Sequence, residues 1–188
     1  MSTELPSDEA LLVVARELAL VLERKNLQLV LAESCTAGLA AAHLARIPGV
    51  SRFFCGSAVV YQEATKTAWL GVPASHFESD GPGVVSGETA AAMAEGVLER
   101  TPQADFAVAI TGHLGPGAPV DLDGLAFHGW ATRDSQGHVR HRLPKFPADL
   151  VAGASERELR QRLAAWQLLR TAIAVAAETR GVGAPPEV

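Results

Sequence analysis

Cysteine, aromatic side chains and positive charge are all scarce in this 188-residue chain. Two cysteines, Cys35 and Cys55, are too few for the disulfide framework of a small secreted domain, so free thiols in a reducing compartment are expected. Lys and Arg number 16 against 21 Asp and Glu, a formal charge of -5. That balance lacks the concentrated positive field that general nucleic-acid binding requires. The one basic stretch, 133–145, is short and interrupted. No apolar run is long enough to cross a bilayer, and the opening MSTELPSDEA has no basic-then-apolar leader. The six histidines form no HExxH pattern and no compact cluster with cysteine, so no metal and no cofactor is expected. These absences leave a cytoplasmic protein that uses neither nucleic acid nor membrane as a partner. With no repeat, linker or low-complexity block, residues 1–188 are expected to form one domain.

What the chain has in quantity is Ala, Leu and Val, which supply most of a 48% apolar fraction, enough for a substantial core. Ser7 with Asp8 and Glu9 reads as a helix start, and apolar residues recur at helical spacing from Leu11 to Leu22, predicting a helix that ends near Asn26. Residues 27–32 read as a buried strand, followed by a polar junction at 33–38 and an Ala-rich helix to Arg46. A second strand is predicted over 55–61 and a short helix over 62–70, closed by Gly71 and Pro73. A loop follows at 77–83, then a helix over 87–100 capped by Ser86, and a buried strand over 105–110. The loop 111–117 comes next. Residues 124–132 and 138–143 then read as a hairpin turned by Asp134, Ser135 and Gly137, its second strand a half-solvated edge with His138 and His141 on opposite faces. A long helix over 155–178 precedes a fraying end, GVGAPPEV. This order predicts an α/β fold, a three-layer α/β/α sandwich around a mixed, mostly parallel sheet.

Strand-to-helix junctions expose polar side chains and free N–H groups, which makes Ser34 the leading nucleophile. The plainer reading is that Ser34 and Thr36 only cap the following helix. Lys66 is the candidate base, provided that burial lowers its proton affinity; an isolated lysine on a short helix is otherwise a solvated one. Tyr61, at the predicted strand end, would approach the same pocket. Cys35 is a rival nucleophile whose plainer role is a small buried thiol. Gly112 and Gly115 could expose amides to a phosphate or carboxamide oxygen, or simply form a tight turn.

The stretch AESCTAG at 32–38 resembles the AESCTGG signature of the CinA C-terminal family, whose members are also called nicotinamide mononucleotide deamidases. Further segments agree in order: Pro48-Gly49 with Ser51 and Phe53-Phe54, YQEATK at 61–66, LGVP at 70–73, Val85-Ser86, AAAMAEG in the following helix, and TGHLGPG at 111–117. The resemblance covers nearly the whole chain and implies an α/β/α domain that hydrolyses the carboxamide of a pyridine nucleotide. It implies Ser34 as nucleophile with Lys66 and Tyr61 as catalytic partners. Thr36, Gly38, Ser51, Thr111, Gly112, Gly115 and Gly117 fall at the substrate. A phosphate-binding arginine is expected near the start of the last helix, where Arg157 is the nearest match and Arg160 and Arg162 compete. It also implies a homo-oligomer in a stand-alone form. Ala37 replaces a family glycine, His113-Leu114 replace a smaller or branched apolar pair, and the segment before the last helix departs from the family pattern. These departures admit a second reading, a nucleotide-binding or protein-interaction module without turnover.

Overall fold

Ser7 Oγ accepts the Ala10 N–H, and Asp8 and Glu9 occupy the positive end of helix α1 (Asp8–Lys25), which ends where Asn26 turns left-handed. The computed structural model in which these contacts are seen describes residues 7–146 and 153–179. The predicted fraying of GVGAPPEV lies outside the described residues.

Strand β1 (Leu29–Glu33) starts later than predicted, because the Leu27 N–H closes the end of α1 on Leu22 O and Gln28 O takes the Asp105 N–H. Helix α2 (Leu39–Leu44) stops short of Arg46, since Arg46 and Ile47 already bond three residues back, to His43 and Leu44, as a tightening last turn does. A 3-10 turn (Val50–Arg52) leads into β2 (Phe54–Val59), so Tyr61 lies beyond the strand rather than at its end. Helix α3 (Glu63–Leu70) ends at Gly71, whose φ of 74° suits a left-handed cap. Part of the expected loop before α4 begins as a 3-10 turn (Ala74–Phe77). Helix α4 (Gly87–Glu99) is capped by Ser86 through the Thr89 N–H, as expected.

Strand β3 (Phe106–Gly112) runs past its predicted end. Thr111 and Gly112, expected in a loop, pair instead with Phe127 and Ala126 of β4 (Leu125–Thr132). Strand β5 (Gln136–Arg142) begins early, and Gly137 sits in it opposite Trp130 rather than in the turn. Helix α5 (Glu156–Glu178) opens with a capping box between Ser155 and Glu158.

The sheet order is β2-β1-β3-β4-β5. β1 is parallel to both neighbours and β4 is antiparallel to both of its own, so only β4 runs against the rest. Strand alternation divides the core in two. Leu29, Leu31, Phe106, Val108 and Ile110 face α1, α2 and α5, while Val30, Ala32, Ala107 and Ala109 face α4. The small side lets α4 approach closely: a Cβ at Gly129 would fall 2.0 Å from Ala90 O. The three-layer sandwich is therefore built as predicted.

His138 and His141 do face opposite sides. His138 lies where a Gly87 Cβ would be, and His141 packs on His128 with ring centroids 4.2 Å apart.

This winding positions a site. The chain leaves β1 for α2 on one face and leaves β2 for α3 on the other. Adjacent parallel strands with connections to opposite faces leave a crevice at their C-terminal ends.

Candidate active site

Ser34 follows β1 directly, its N–H held by Ile110 O at 3.1 Å. Lys66, one turn into α3, extends into the crevice until it is fully buried. Its Nζ lies 3.0 Å from Ser34 Oγ, 2.9 Å from Val60 O and 3.3 Å from Tyr61 O. Burial pushes the proton affinity of this amine below the ordinary lysine range, against the weaker opposing pull of nearby Cys35 and the Glu63 carboxylate. An ammonium would donate to all three oxygens, and a neutral amine also fits. Its two N–H groups serve the carbonyls, and its lone pair is left for the Ser34 hydroxyl. The plainer reading of Lys66 as a solvated surface cation does not hold.

Nor do Ser34 and Thr36 cap α2. That helix starts at Gly38 with no side-chain cap of the usual kind. Its free N–H groups converge on the Glu33 carboxylate: Gly38 N at 3.1 Å, Ala40 N at 3.2 Å and Ala41 N at 2.9 Å, with Ser57 Oγ donating at 3.3 Å. Glu33 is fully buried and was not singled out in the sequence. The only available signal was a carboxylate at the start of a helix junction. With Glu33 capping, Ser34 is free for Lys66, and Thr36 Oγ1 is left buried with no partner among the described residues.

Between them, Ala37 takes a positive φ of 54°, a conformation that costs a residue with a Cβ roughly 1 kcal/mol or more. That cost accounts for a glycine in the signature that this stretch resembles. Cys35 is not a competing nucleophile, because burial pushes its thiol up to about 12 and keeps it protonated.

The rest of the site comes from three other segments. Arg157, in the first turn of α5, donates to Tyr61 Oη at 2.6 Å and to Gly115 O at 2.6 Å. Gly115 has a φ of 70°, and a Cβ there would fall 2.9 Å from the Arg160 guanidinium and 3.0 Å from Asp123, so only glycine fits. Thr111, at the end of β3 beside Ser34, donates from Oγ1 to Val84 O at 2.8 Å. Gln161, one turn beyond Arg157 and not anticipated, donates from Nε2 to Cys35 O at 3.2 Å and Thr36 O at 3.3 Å.

Two expectations need correcting, and the choice left open among the arginines narrows. Ser51 lies in the 3-10 turn before β2, at the opposite end of the strands from Ser34 and roughly 15 Å away by strand rise. Gly112 is a sheet residue packed against Ala126 and Leu125 O, not a loop donor. Arg160 competes with Arg157 in the sequence but is buried in ion pairs with Asp123 and Glu156, and it also holds Leu114 O and Pro144 O. Arg162 makes no hydrogen bond or ion pair among the described residues, though its charge helps hold the Glu158 carboxyl below its usual range. Of the three arginines, Arg157 is the one that reaches the crevice.

Other clefts lie away from this crevice. One of about 840 Å³ runs between α5 and the β4–β5 hairpin, past Trp130, His141 and Thr171. Another, of about 540 Å³, follows α4 past His76, Glu95 and His138. Neither is lined by Ser34 or Lys66. Among the described residues, no group of three or more His, Cys, Asp and Glu side chains could hold a metal ion. No described helix is long and apolar enough to cross a membrane.

Comparison with known proteins gives this arrangement a lineage. The fold matches a competence/damage inducible protein from Agrobacterium tumefaciens with a TM-score of 0.76 and 31% identity, over 92% of this chain and 98% of that one. A competence damage-inducible protein from Klebsiella pneumoniae gives a TM-score of 0.77 at 24% identity, over 89% of this chain and 97% of that one, a likeness of fold alone. A CinA-like protein of Mycobacterium sp. (strain JLS) is 39% identical over 142 residues, 76% of this chain. A CinA-like protein of Desulfotalea psychrophila is 46% identical over 96 residues, 51% of this chain. This chain spans 32% and 22% of the length of those two relatives. The family model described as CinA C-terminal domain matches residues 12–161, which take in Ser34, Tyr61, Lys66, Thr111 and Arg157 together, and the chain belongs to that family.

Proposed function

We propose that this protein hydrolyses the carboxamide of nicotinamide mononucleotide, releasing ammonia and nicotinate mononucleotide. The observation that carries the reading is the buried Lys66 amine 3.0 Å from Ser34 Oγ, with its proton affinity lowered by burial. A serine is a poor nucleophile until an adjacent base takes its proton.

Neutral Lys66 accepts the Ser34 proton as Oγ bonds to the carboxamide carbon, and the carbonyl electron pair moves to oxygen. The N–H groups of the turn after Ser34 stabilise that oxyanion. Collapse of the intermediate breaks the C–N bond, and protonated Lys66 returns the proton to the leaving nitrogen, which departs as ammonia. Water, deprotonated by Lys66, then attacks the acyl ester and frees Ser34. Tyr61, with its hydroxyl held by Arg157, orients the base and the ring. Thr111 and the 115–117 loop flank the nucleotide. Arg157 binds its phosphate, where a guanidinium makes paired hydrogen bonds, a role supported by its reach to Tyr61 and the 115–117 loop.

The test is ammonia release from nicotinamide mononucleotide by the purified protein beside a Ser34→Ala variant. Release by the first and not by the second is expected. A folded protein that binds the nucleotide but releases nothing would leave a binding module in place of an enzyme.

A further inference from the structure

The clamp on the nucleophile turn comes from the far end of the chain. The Gln161 side-chain amide has two N–H donors, and its Nε2 reaches both Cys35 O and Thr36 O, at 3.2 and 3.3 Å across 126 and 125 residues of sequence. These two carbonyls belong to the turn that supplies Ser34. The Cys35–Thr36 peptide is trans, and in a trans peptide the C=O and the following N–H point in opposite directions. Holding Cys35 O toward α5 therefore turns the Thr36 N–H away from α5. That N–H donates to no acceptor among the described residues, whereas Ser34 N, Ala37 N, Gly38 N and Leu39 N are all engaged. Of the turn's N–H groups, those of Cys35 and Thr36 have no acceptor among the described residues, and Gln161 sets the direction of the peptide that carries the second.

The same turn is strained at its far end. Ala37 is held at positive φ, and Glu33 fixes only the N–H groups from Gly38 onward. Thr36 O also accepts the Leu39 N–H, whereas Cys35 O has no second donor among the described residues. Without Gln161, the direction of the Cys35–Thr36 peptide rests on the turn alone, through the Ala37 N–H to Ser34 O and the Leu39 N–H to Thr36 O.

We infer that Gln161 is a positioning residue that aims the Thr36 N–H at the oxyanion formed on the Ser34 adduct. This rests on the amide-hydrolysis reading above but makes a separate claim: that the oxyanion donor is set in place by a side chain of the last helix. Since a transition-state donor acts on turnover rather than on binding, loss of Gln161 lowers kcat and leaves KM nearly unchanged.

Two substitutions test it. Gln161→Leu removes both donors at similar volume. An oxyanion donor is worth about 10²–10³ in rate, and misdirecting one is expected to cost kcat about 10- to 100-fold, with KM within about threefold. Gln161→Glu keeps the shape but sets a carboxylate against two carbonyls. Once protonated, it regains one donor. The ratio of its kcat to that of the unaltered protein should therefore rise as pH falls through the glutamate range, whereas a merely structural role for Gln161 leaves the ratio flat.

A second readout does not depend on the nucleotide. Acylation-type labelling of Ser34 by a sulfonyl fluoride also builds negative charge on oxygen, and its rate should fall in both variants. If Ser34 labels but nicotinamide mononucleotide releases no ammonia, the substrate reading fails and the positioning role is judged on labelling alone. Unchanged kcat and labelling in folded Gln161→Leu would overturn the inference, as would a flat Gln161→Glu ratio or a Ser34 that does not label.

Discussion

Lys66 gains its chemistry from being buried, and its titration should show it. On the proposed reading Lys66 acts as base when neutral, and desolvation lowers its proton affinity from the usual lysine value of 10.5. The rate should accordingly rise with pH and reach its plateau below pH 10.5. Lys66→Met fills the same apolar space without a base and is expected to lose about 10²–10⁴ of the rate. Lys66→Arg should also be inactive, because a guanidinium cannot give up its proton in the working range. A pH–rate profile for the unaltered protein beside single-point assays of both variants measures all three, and an arginine variant that still turns over would remove Lys66 from the role of base. At this scale the sequence reveals residue types but not their surroundings. Ser34 and Lys66 are visible as candidates, and only their neighbours distinguish a base from a solvated lysine. Gln161 is not visible at all, since its role depends on two backbone carbonyls that local sequence does not place next to it.

Among the elements, α2 shows how a short helix is held without a conventional cap. Its length, Leu39–Leu44, is too short to be stable alone, and the Glu33 carboxylate takes three of its N–H groups. Glu33→Ala should destabilise the fold by about 1–3 kcal/mol, the cost of leaving buried donors unpaired. Urea unfolding would read this as a lower midpoint with an unchanged slope, and no loss of stability would mean that water takes over the cap. Helices and strands with clean periodicity, α1, α4 and β3, are legible in the chain. Their ends are less so, where tertiary bonds decide them. The Thr111–Gly112 segment contains the glycine and small polar residues of a loop, yet partners on β4 draw it into the ladder. Tyr61 and Ser51 show the converse for the site. One resemblance lies beside the nucleophile, and the other is a strand length away.

For the molecule as a whole, acid sensitivity should come first from the face opposite α4. The Thr171 hydroxyl donates to Gln167 O at 3.0 Å, so Thr171 Oγ1 accepts from His128 Nδ1 at 2.8 Å, and His128 packs on His141. Burial lowers the proton affinity of both rings below the usual 6.5, in His128 with help from the neighbouring His141. In the unfolded chain both titrate near 6.5. As pH falls below that value the unfolded state binds protons that the folded state refuses, and stability is lost. Each such proton sets a slope of about 1.4 kcal/mol per pH unit. Thermal melting between pH 7 and 5 should show this limb, and a His128→Asn, His141→Asn double variant should flatten it. A limb that persists unchanged would place the acid sensitivity elsewhere.

The site also has an order in time. Ser34, Tyr61 and Lys66 are synthesised early, but the partner that holds the Tyr61 hydroxyl lies 96 residues later and the clamp on the nucleophile turn 126 residues later. A chain still leaving the ribosome therefore carries Ser34 and Lys66 before the contacts that hold Tyr61 and the turn exist. On the proposed reading, a copy cut short before the last helix keeps Ser34 and Lys66 but loses both of these holds, and should turn over more slowly than the whole chain.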